Sequence, residues 1–457
     1  MIETAVDCIL FLFPFGYFLW RWGRSNAEIS NVLLGCYVYP LILFTMLSGE
    51  GFALSNFSIS METANLLRAG IHVLFACWFI RKVLKSGSRL KAVPGTIPAA
   101  VALVLMLLSA IFSGSGSSAL LRIGLLLILA LNIFVLIPTV AGDDKKSYYK
   151  ELTRGGIFLA LYLAGLSTIV IGLHGNFPEW SLRLGRPLNP GVLAVLVVFA
   201  FIPALFVNRS LAVIGGLFVT LIATGSRFPL AFAVVWLLVL GIKRATVWRR
   251  VGLALLVCSS IGYVYWVQSG EISSNEQGIF ERSDVLSGRV LLWIETIDSI
   301  KTSPFWGRGD RTYLENVYTG EEQEDIRPHN MLLENSMSYG IPASLAAFAV
   351  YLVMAFSAYR AWRHRQLLPN VLEFAPMWLY FSVVQLGATM VETTSWLNLG
   401  DGGSILLFLF VGPGLANARA VLAPQKKVKS PQLRMPVGQS IGLSETSRRD
   451  RVDQLKL

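Results

Sequence analysis

Along the chain, long apolar stretches alternate with polar connectors thirteen times before the pattern ends near residue 418. The runs cover 5–20, 31–48, 64–80, 96–112, 119–138, 156–173, 190–207, 211–225, 228–242, 251–268, 338–357, 372–391 and 402–418. Roughly 20 apolar residues in a helix cross a hydrocarbon core ~30 Å thick, so each run predicts a transmembrane helix. Backbone polar groups in lipid must be satisfied within their own segment, which makes the helix the expected form. The pattern therefore predicts an all-α polytopic membrane protein of about 12–13 transmembrane helices.

The connectors alternate in charge. Nineteen cations fall in one set, on Arg21/Arg24, Arg81/Lys82/Lys85/Arg89/Lys91, Lys145/Lys146/Lys150/Arg154, Arg209, Lys243/Arg244/Arg249/Arg250 and Arg360/Arg363/Arg365. The other set is nearly bare outside one long loop. Cytoplasmic loops carry the excess of Lys and Arg, so the first set is read as cytoplasmic and the N-terminus and long loop as outer.

That loop, residues 271–330, is a polar island of about sixty residues with twelve acidic and six basic side chains. Structureless loops beyond about 15 residues are uncommon and usually functional or disordered. Within it, Leu286, Val290, Trp293, Ile294, Ile297 and Ile300 recur at three- and four-residue spacing, which predicts an amphipathic helix over 285–302. Asp284 or Ser287 can cap its start, and Pro304 with the following glycines ends it.

Composition agrees with the pattern. At 54% hydrophobic and 15% charged residues, with a mean hydropathy of +0.59, the chain is too apolar for a soluble protein of 457 residues. The net charge of +11 does not point to nucleic acid, because the outer loop is acidic and the cations follow the membrane topology. Cys8, Cys36, Cys77 and Cys258 lie in apolar runs without CxxC spacing, so neither a disulfide framework nor a zinc site is indicated. The first apolar run reads as a retained span rather than a cleaved signal. The tail from Arg419 holds nine basic residues with little apolar surface, which suits a disordered cytoplasmic segment against anionic lipid.

Three side chains stand out. Arg289 falls in the first turn of the predicted loop helix, where backbone N–H groups favour an anion, although pairing with Asp284 or Glu295 on a solvated face serves equally. Arg227, in Thr224-Gly225-Ser226-Arg227-Phe228-Pro229, joins two apolar runs so tightly that it sits at the outer membrane boundary. An Arg left in lipid costs ~2.5 kcal/mol or more, so it faces a cavity, snorkels to lipid phosphate, or pairs. His329 closes the long loop beside Asn330, as an interfacial histidine or as a base; no second His or Cys stands at metal-ligand spacing. Glu334, Glu392 and Asp401 are suited to pairing with the arginines.

Taken in order, these segments resemble the O-antigen ligase/polymerase superfamily. The resemblance runs over about residues 183–357: Arg186-Pro187-Leu188-Asn189-Pro190-Gly191 at the start of a span, Gly225-Ser226-Arg227, Ser287-Gly288-Arg289 with Trp293, Pro304 with Gly307 and Gly309, His329-Asn330, and a span containing Gly340. Where the family more often has a second Asn, this chain has Gly191. The resemblance implies a GT-C-like membrane glycosyltransferase of the bacterial inner membrane, acting at its periplasmic face on a glycan carried by undecaprenyl pyrophosphate. It divides the chain into N-terminal helices (1–182), a catalytic region (183–357) with the periplasmic loop at 269–331, C-terminal helices (358–418) and the basic tail (419–457).

On that resemblance, Arg227 and Arg289 stabilise the leaving pyrophosphate and Arg186 and Arg308 assist. His329 is the base toward the acceptor hydroxyl, with Asn330 and Trp293 around the substrate, and no metal or cofactor is required. The acceptor is lipid A core for a ligase, or the next lipid-linked repeat for a Wzy-type or exopolysaccharide polymerase. The single dominant outer loop, against a short 174–189, favours the ligase. Other classes remain open: a lipid-linked glycan transporter, against which no inverted repeat with paired broken helices is evident, and a glycan-binding receptor.

Overall fold

The computed structural model describes residues 2–22, 28–47, 60–113, 116–141, 145–173, 190–205, 210–224, 229–231, 233–234, 289–309, 328, 330–366, 372–391, 397 and 402–422. Among these every regular element is helical. In chain order they are α1 (Ile2–Trp22); α2, a rod of Glu28–Val32, π-helical Leu33–Val38 and Tyr39–Leu47; α3 (Met61–Ser86); α4 (Thr96–Phe112); and α5, Gly116–Leu131 running through π-helical Asn132–Leu136 into Ile137–Val140. Then come α6 (Lys145–Leu173), α7 (Pro190–Pro203), α8 (Leu211–Ala223), α9 (Arg289–Thr302), α10 (Met331–Tyr339), α11 (Ile341–Arg363), α12 (Ala375–Val391) and α13 (Gly402–Leu422). Residues 1–421 form one compact unit, and 422–457 a second that lies outside the described residues except for Leu422.

Among the described residues, three stretches are long and apolar enough by length and composition to cross a membrane: Glu62–Ser86, Ala119–Val140 and Ile341–Arg363. Ile29–Phe44, Thr96–Phe112, Leu193–Pro203, Ala212–Ala223 and Ile405–Arg419 are shorter apolar helices. Most of the runs 228–242 and 251–268 lies outside the described residues.

The expected span 338–357 corresponds to α11, which starts three residues later, at Ile341. The run 338–357 is broken at Gly340, whose φ of 84° and ψ of 160° interrupt the helical path between α10 and α11. That conformation is essentially confined to glycine, because a Cβ there would clash with the backbone.

The helices pack through small residues and buried aromatics. A Cβ on Gly155 would lie 2.4 Å from Leu34, and one on Gly35 would lie 2.3 Å from Phe18, so both glycines let α1, α2 and α6 approach closely. Such contacts matter in lipid, where van der Waals fit replaces the hydrophobic drive. The Trp378 indole donates to the Tyr149 hydroxyl at 3.0 Å in the buried seam of α6 and α12.

Polar ties mark two ends of this unit. At one, Arg21 pairs with buried Glu151, which also takes Arg154 at 2.8 Å. There too the Lys91 amide donates to Thr139 Oγ1 at 2.9 Å, and the Val93 amide to the Phe134 carbonyl at 2.9 Å. At the other, Ser109 Oγ donates to the Trp306 carbonyl, the Ile341 amide to Pro304 and Asn330 Nδ2 to Met390. α4 starts just after Lys91 and ends just past Ser109. Its 17 residues hold the two groups of ties about 25 Å apart, with Arg21, Lys91 and Arg154 opposite the 303–341 segment.

Candidate functional site

The described part of the candidate site is built by α9, the turn after it, and α10. α9 ends where the sequence predicts, just before Pro304, but its buried side differs from the expected apolar stripe. Ile294 and Ile297 are exposed, whereas Thr296, Ser299 and Ile300 are buried. Ile300 meets Met337 of α10 with Leu333 alongside. The only described helix against which α9 packs extensively is α10.

α10 begins with a cap. Asn330 is extended at φ −148° and ψ 116°, and its side-chain oxygen accepts the Leu333 amide at 3.2 Å. A cap of this kind contributes about 1 kcal/mol by satisfying an amide that the first turn leaves unpaired. The same side chain donates from Nδ2 to the Met390 carbonyl at 2.9 Å, tying the start of α10 to the last turn of α12. Asn330 is buried and both of its polar ends are engaged, so it acts on the site by fixing backbone.

Trp293 supplies the second constraint. One helical turn after Arg289, its indole Nε1 donates to the Pro328 carbonyl at 2.7 Å. The start of α9 is thereby held against the residue that precedes His329. At the other end the turn 303–309 docks on residues 337–341, so α9 and α10 lie side by side in parallel. Their N-terminal ends, each carrying the positive end of a helix dipole, face the same way. An anion placed there meets first-turn amides of both helices.

The structure thus brings together the start of the Arg289 helix, Trp293, Pro328 and Asn330. Arg308 is not in this group. It follows α9 at its opposite end, roughly 13 Å along the axis from Trp293, where its Nε donates to Thr302 Oγ1 at 3.0 Å and its side chain is exposed. The Arg289 side chain, Arg227, Arg186 and His329 lie outside the described residues, as do Glu392 and Asp401. Among the described residues no three His, Cys, Asp or Glu side chains group as metal ligands.

Sequence reading missed the carbonyls of Pro328 and Met390, since every residue carries one and no residue type marks it. It also missed the close approach of Gly307 to Ser338 and of Gly340 to Phe305. A signal for that was present, because Gly340 stands just before a Pro at the second position of α11, a pattern that marks a break between helices.

Residues 211–348 match the family model described as O-Antigen ligase. No curated protein matches the chain. The matched segment contains Arg227, Arg289, Trp293, Arg308, His329 and Asn330, and stops short of Met390. Over this segment, in which the α9–α10 pair lies whole, the chain is similar to the O-antigen ligase family, as the sequence resemblance implies.

Proposed function

We propose that this protein is a GT-C-like membrane glycosyltransferase of the ligase type. It transfers a glycan from undecaprenyl pyrophosphate to an acceptor at the periplasmic face of the bacterial inner membrane. The observation that supports the reading is the Trp293–Pro328 hydrogen bond, which ties the helix that begins at Arg289 to the residue before His329. A phosphate-binding residue and a base are needed within one substrate's reach, and this bond ties the helix that begins at Arg289 to the residue before His329.

In the reaction the acceptor hydroxyl attacks the anomeric carbon, its O–H proton passes to the neutral imidazole of His329, and the bond from that carbon to the pyrophosphate oxygen breaks. Charge then accumulates on the leaving pyrophosphate. Guanidinium groups take phosphate oxygens in a bidentate manner, and fixed donors aimed at developing charge are the largest source of rate in such sites. Arg289 and Arg227 fill that role, aided by the α9 amides, with Arg186 and Arg308 reaching other parts of the lipid-linked substrate. A single base without a covalent nucleophile corresponds to direct, inverting displacement. With the arginines carrying the charge, the reaction runs without metal.

Purified protein supplied with glycan-bearing undecaprenyl pyrophosphate and lipid A core should release undecaprenyl pyrophosphate and form a new glycosidic bond. It should do so without nucleotide sugar, ion gradient or divalent cation. Chelator-sensitive turnover restored by one specific metal would overturn the arginine account. Elongation of a second lipid-linked repeat in place of core glycosylation would make the protein a polymerase, and vectorial movement of the donor with no new bond would make it a transporter. The single long outer loop favours the ligase.

The orientation is tested separately. Reporters fused at Glu276 and Glu324 are expected to respond to the outer compartment, and those at Lys146 and Arg363 to the cytoplasm. A cytoplasmic signal from either loop site would leave the proposed donor on the wrong side of the membrane.

A further inference from the structure

The two helices that start at the candidate site are joined beyond their far ends by backbone hydrogen bonds. Gly307 and Gly309, at φ 70° and 95°, fold the chain after Pro304 back onto the end of α10. There the amides of Arg308 and Gly309 donate to the carbonyls of Met337 at 2.8 Å and Ser338 at 3.0 Å, and the Ile341 amide donates to Pro304 at 2.8 Å. Ser303 steadies the turn, with Oγ donating to the Gly307 carbonyl at 2.7 Å.

There is no slack in this joint. A Cβ on Gly307 would stand 2.5 Å from the carbonyl of Ser338, and one on Gly340 would stand 2.0 Å from the Phe305 oxygen. The opposing atoms are main chain, so no side chain can turn aside to make room. Since α10 is the only described helix against which α9 packs extensively, the placement of α9 rests, among the described contacts, on this joint, the Ile300–Met337 contact, the Trp293–Pro328 bond and the Ser109 tie to the Trp306 carbonyl in the turn that follows it. α10 is itself tied to α12 through Asn330 and Met390. A shift at the joint is therefore passed along α9 to its start, while α10 stays in place.

We infer that the joint centred on Gly307 and Gly340 is a positioning element for the transfer reaction, setting the start of the Arg289 helix against Pro328, the residue before His329, without touching substrate. The inference rests on the function proposed above. Misalignment of this kind slows the chemical step more than it weakens binding, because the donor is held by groups that can follow it while the attack geometry cannot adjust.

The experiment compares the full-length wild type with Gly340→Ala, Ser303→Ala and Gly87→Ala in the purified transfer assay. It uses undecaprenyl-pyrophosphate glycan and lipid A core, with kcat and the donor KM normalised to folded protein. Gly87 is the control: it has φ 60° at the end of α3, and a Cβ there meets nothing within 4 Å. Gly340→Ala is expected to lower kcat by about 10- to 100-fold with the donor KM within about threefold of wild type. Ser303→Ala, which keeps the backbone joint and loses one turn bond, should lower kcat by a few-fold at unchanged KM, and Gly87→Ala should leave both unchanged. If Gly340→Ala does not fold, Ser303→Ala decides. A wild-type kcat in folded Gly340→Ala, a wild-type kcat in Ser303→Ala, or a rise in KM at constant kcat would overturn the positioning role. Wild-type protein that makes no glycosidic bond would instead overturn the proposed function, and the positioning role with it.

Discussion

His329→Ala should lower the rate of transfer on the order of 10²-fold or more while leaving the donor KM near that of the parent. A positioned general base contributes typically 10²–10⁴-fold, and binding of the pyrophosphate rests on other groups. The pH profile carries the sign. A histidine base works in its neutral form, so the parent's kcat should rise with pH as the imidazole loses its proton and then level off. The variant should lose that rise together with the rate. Replacing Asn330 would not mimic the effect, because its side chain caps α10 and holds Met390 and is already fully engaged. If a folded His329→Ala protein turns over near normally from about pH 6 to 8, the base lies elsewhere, and Glu334 becomes the first residue to test.

Arg289→Ala and Arg227→Ala are expected to cost about 10²–10³-fold in kcat each, by removing charge aimed at the leaving pyrophosphate. Arg289 has the further advantage of standing at the first residue of α9, where the helix amides add to its field. Lysine at either position should restore only part of the rate, since an ammonium binds phosphate as a point charge and lacks the planar fork of arginine. Lys301 is the internal control. It lies at the other end of α9, exposed and paired with exposed Asp298 at 2.7 Å, and pairs of this kind contribute little. Lys301→Ala should turn over as the parent does. A loss there as large as at Arg289 would mean that α9 as a whole is being destabilised and that no pyrophosphate contact has been measured.

Much of this protein was legible in the residues themselves, for reasons of range. Apolar length and helical period act over one segment at a time, so the helical class follows directly, and α4 occupies 96–112 as its apolar run predicts. Proline and glycine act on their own dihedral angles, so the end of α9 before Pro304 was equally plain. The similarity to the family is legible too, because Gly225-Ser226-Arg227, Ser287-Gly288-Arg289 and His329-Asn330 form an ordered set of residue types, and the match to O-Antigen ligase spans all three.

What only the tertiary structure decided are the ties between segments. Trp293 reaches Pro328 across 35 residues, Asn330 reaches Met390 across 60, and Ser109 reaches Trp306 across 197. Each ends on a backbone carbonyl, the one group that every residue offers alike, so no pattern of side chains could have named the partner. The same packing chose the buried side of α9, placing Thr296 and Ser299 inward and Ile294 and Ile297 outward against the order that hydrophobicity alone predicts. Period locates an apolar stripe along a helix. Only the neighbouring α10, with no room for a Cβ at Gly307 or Gly340, determines which way that helix is turned and where the start of the Arg289 helix lies.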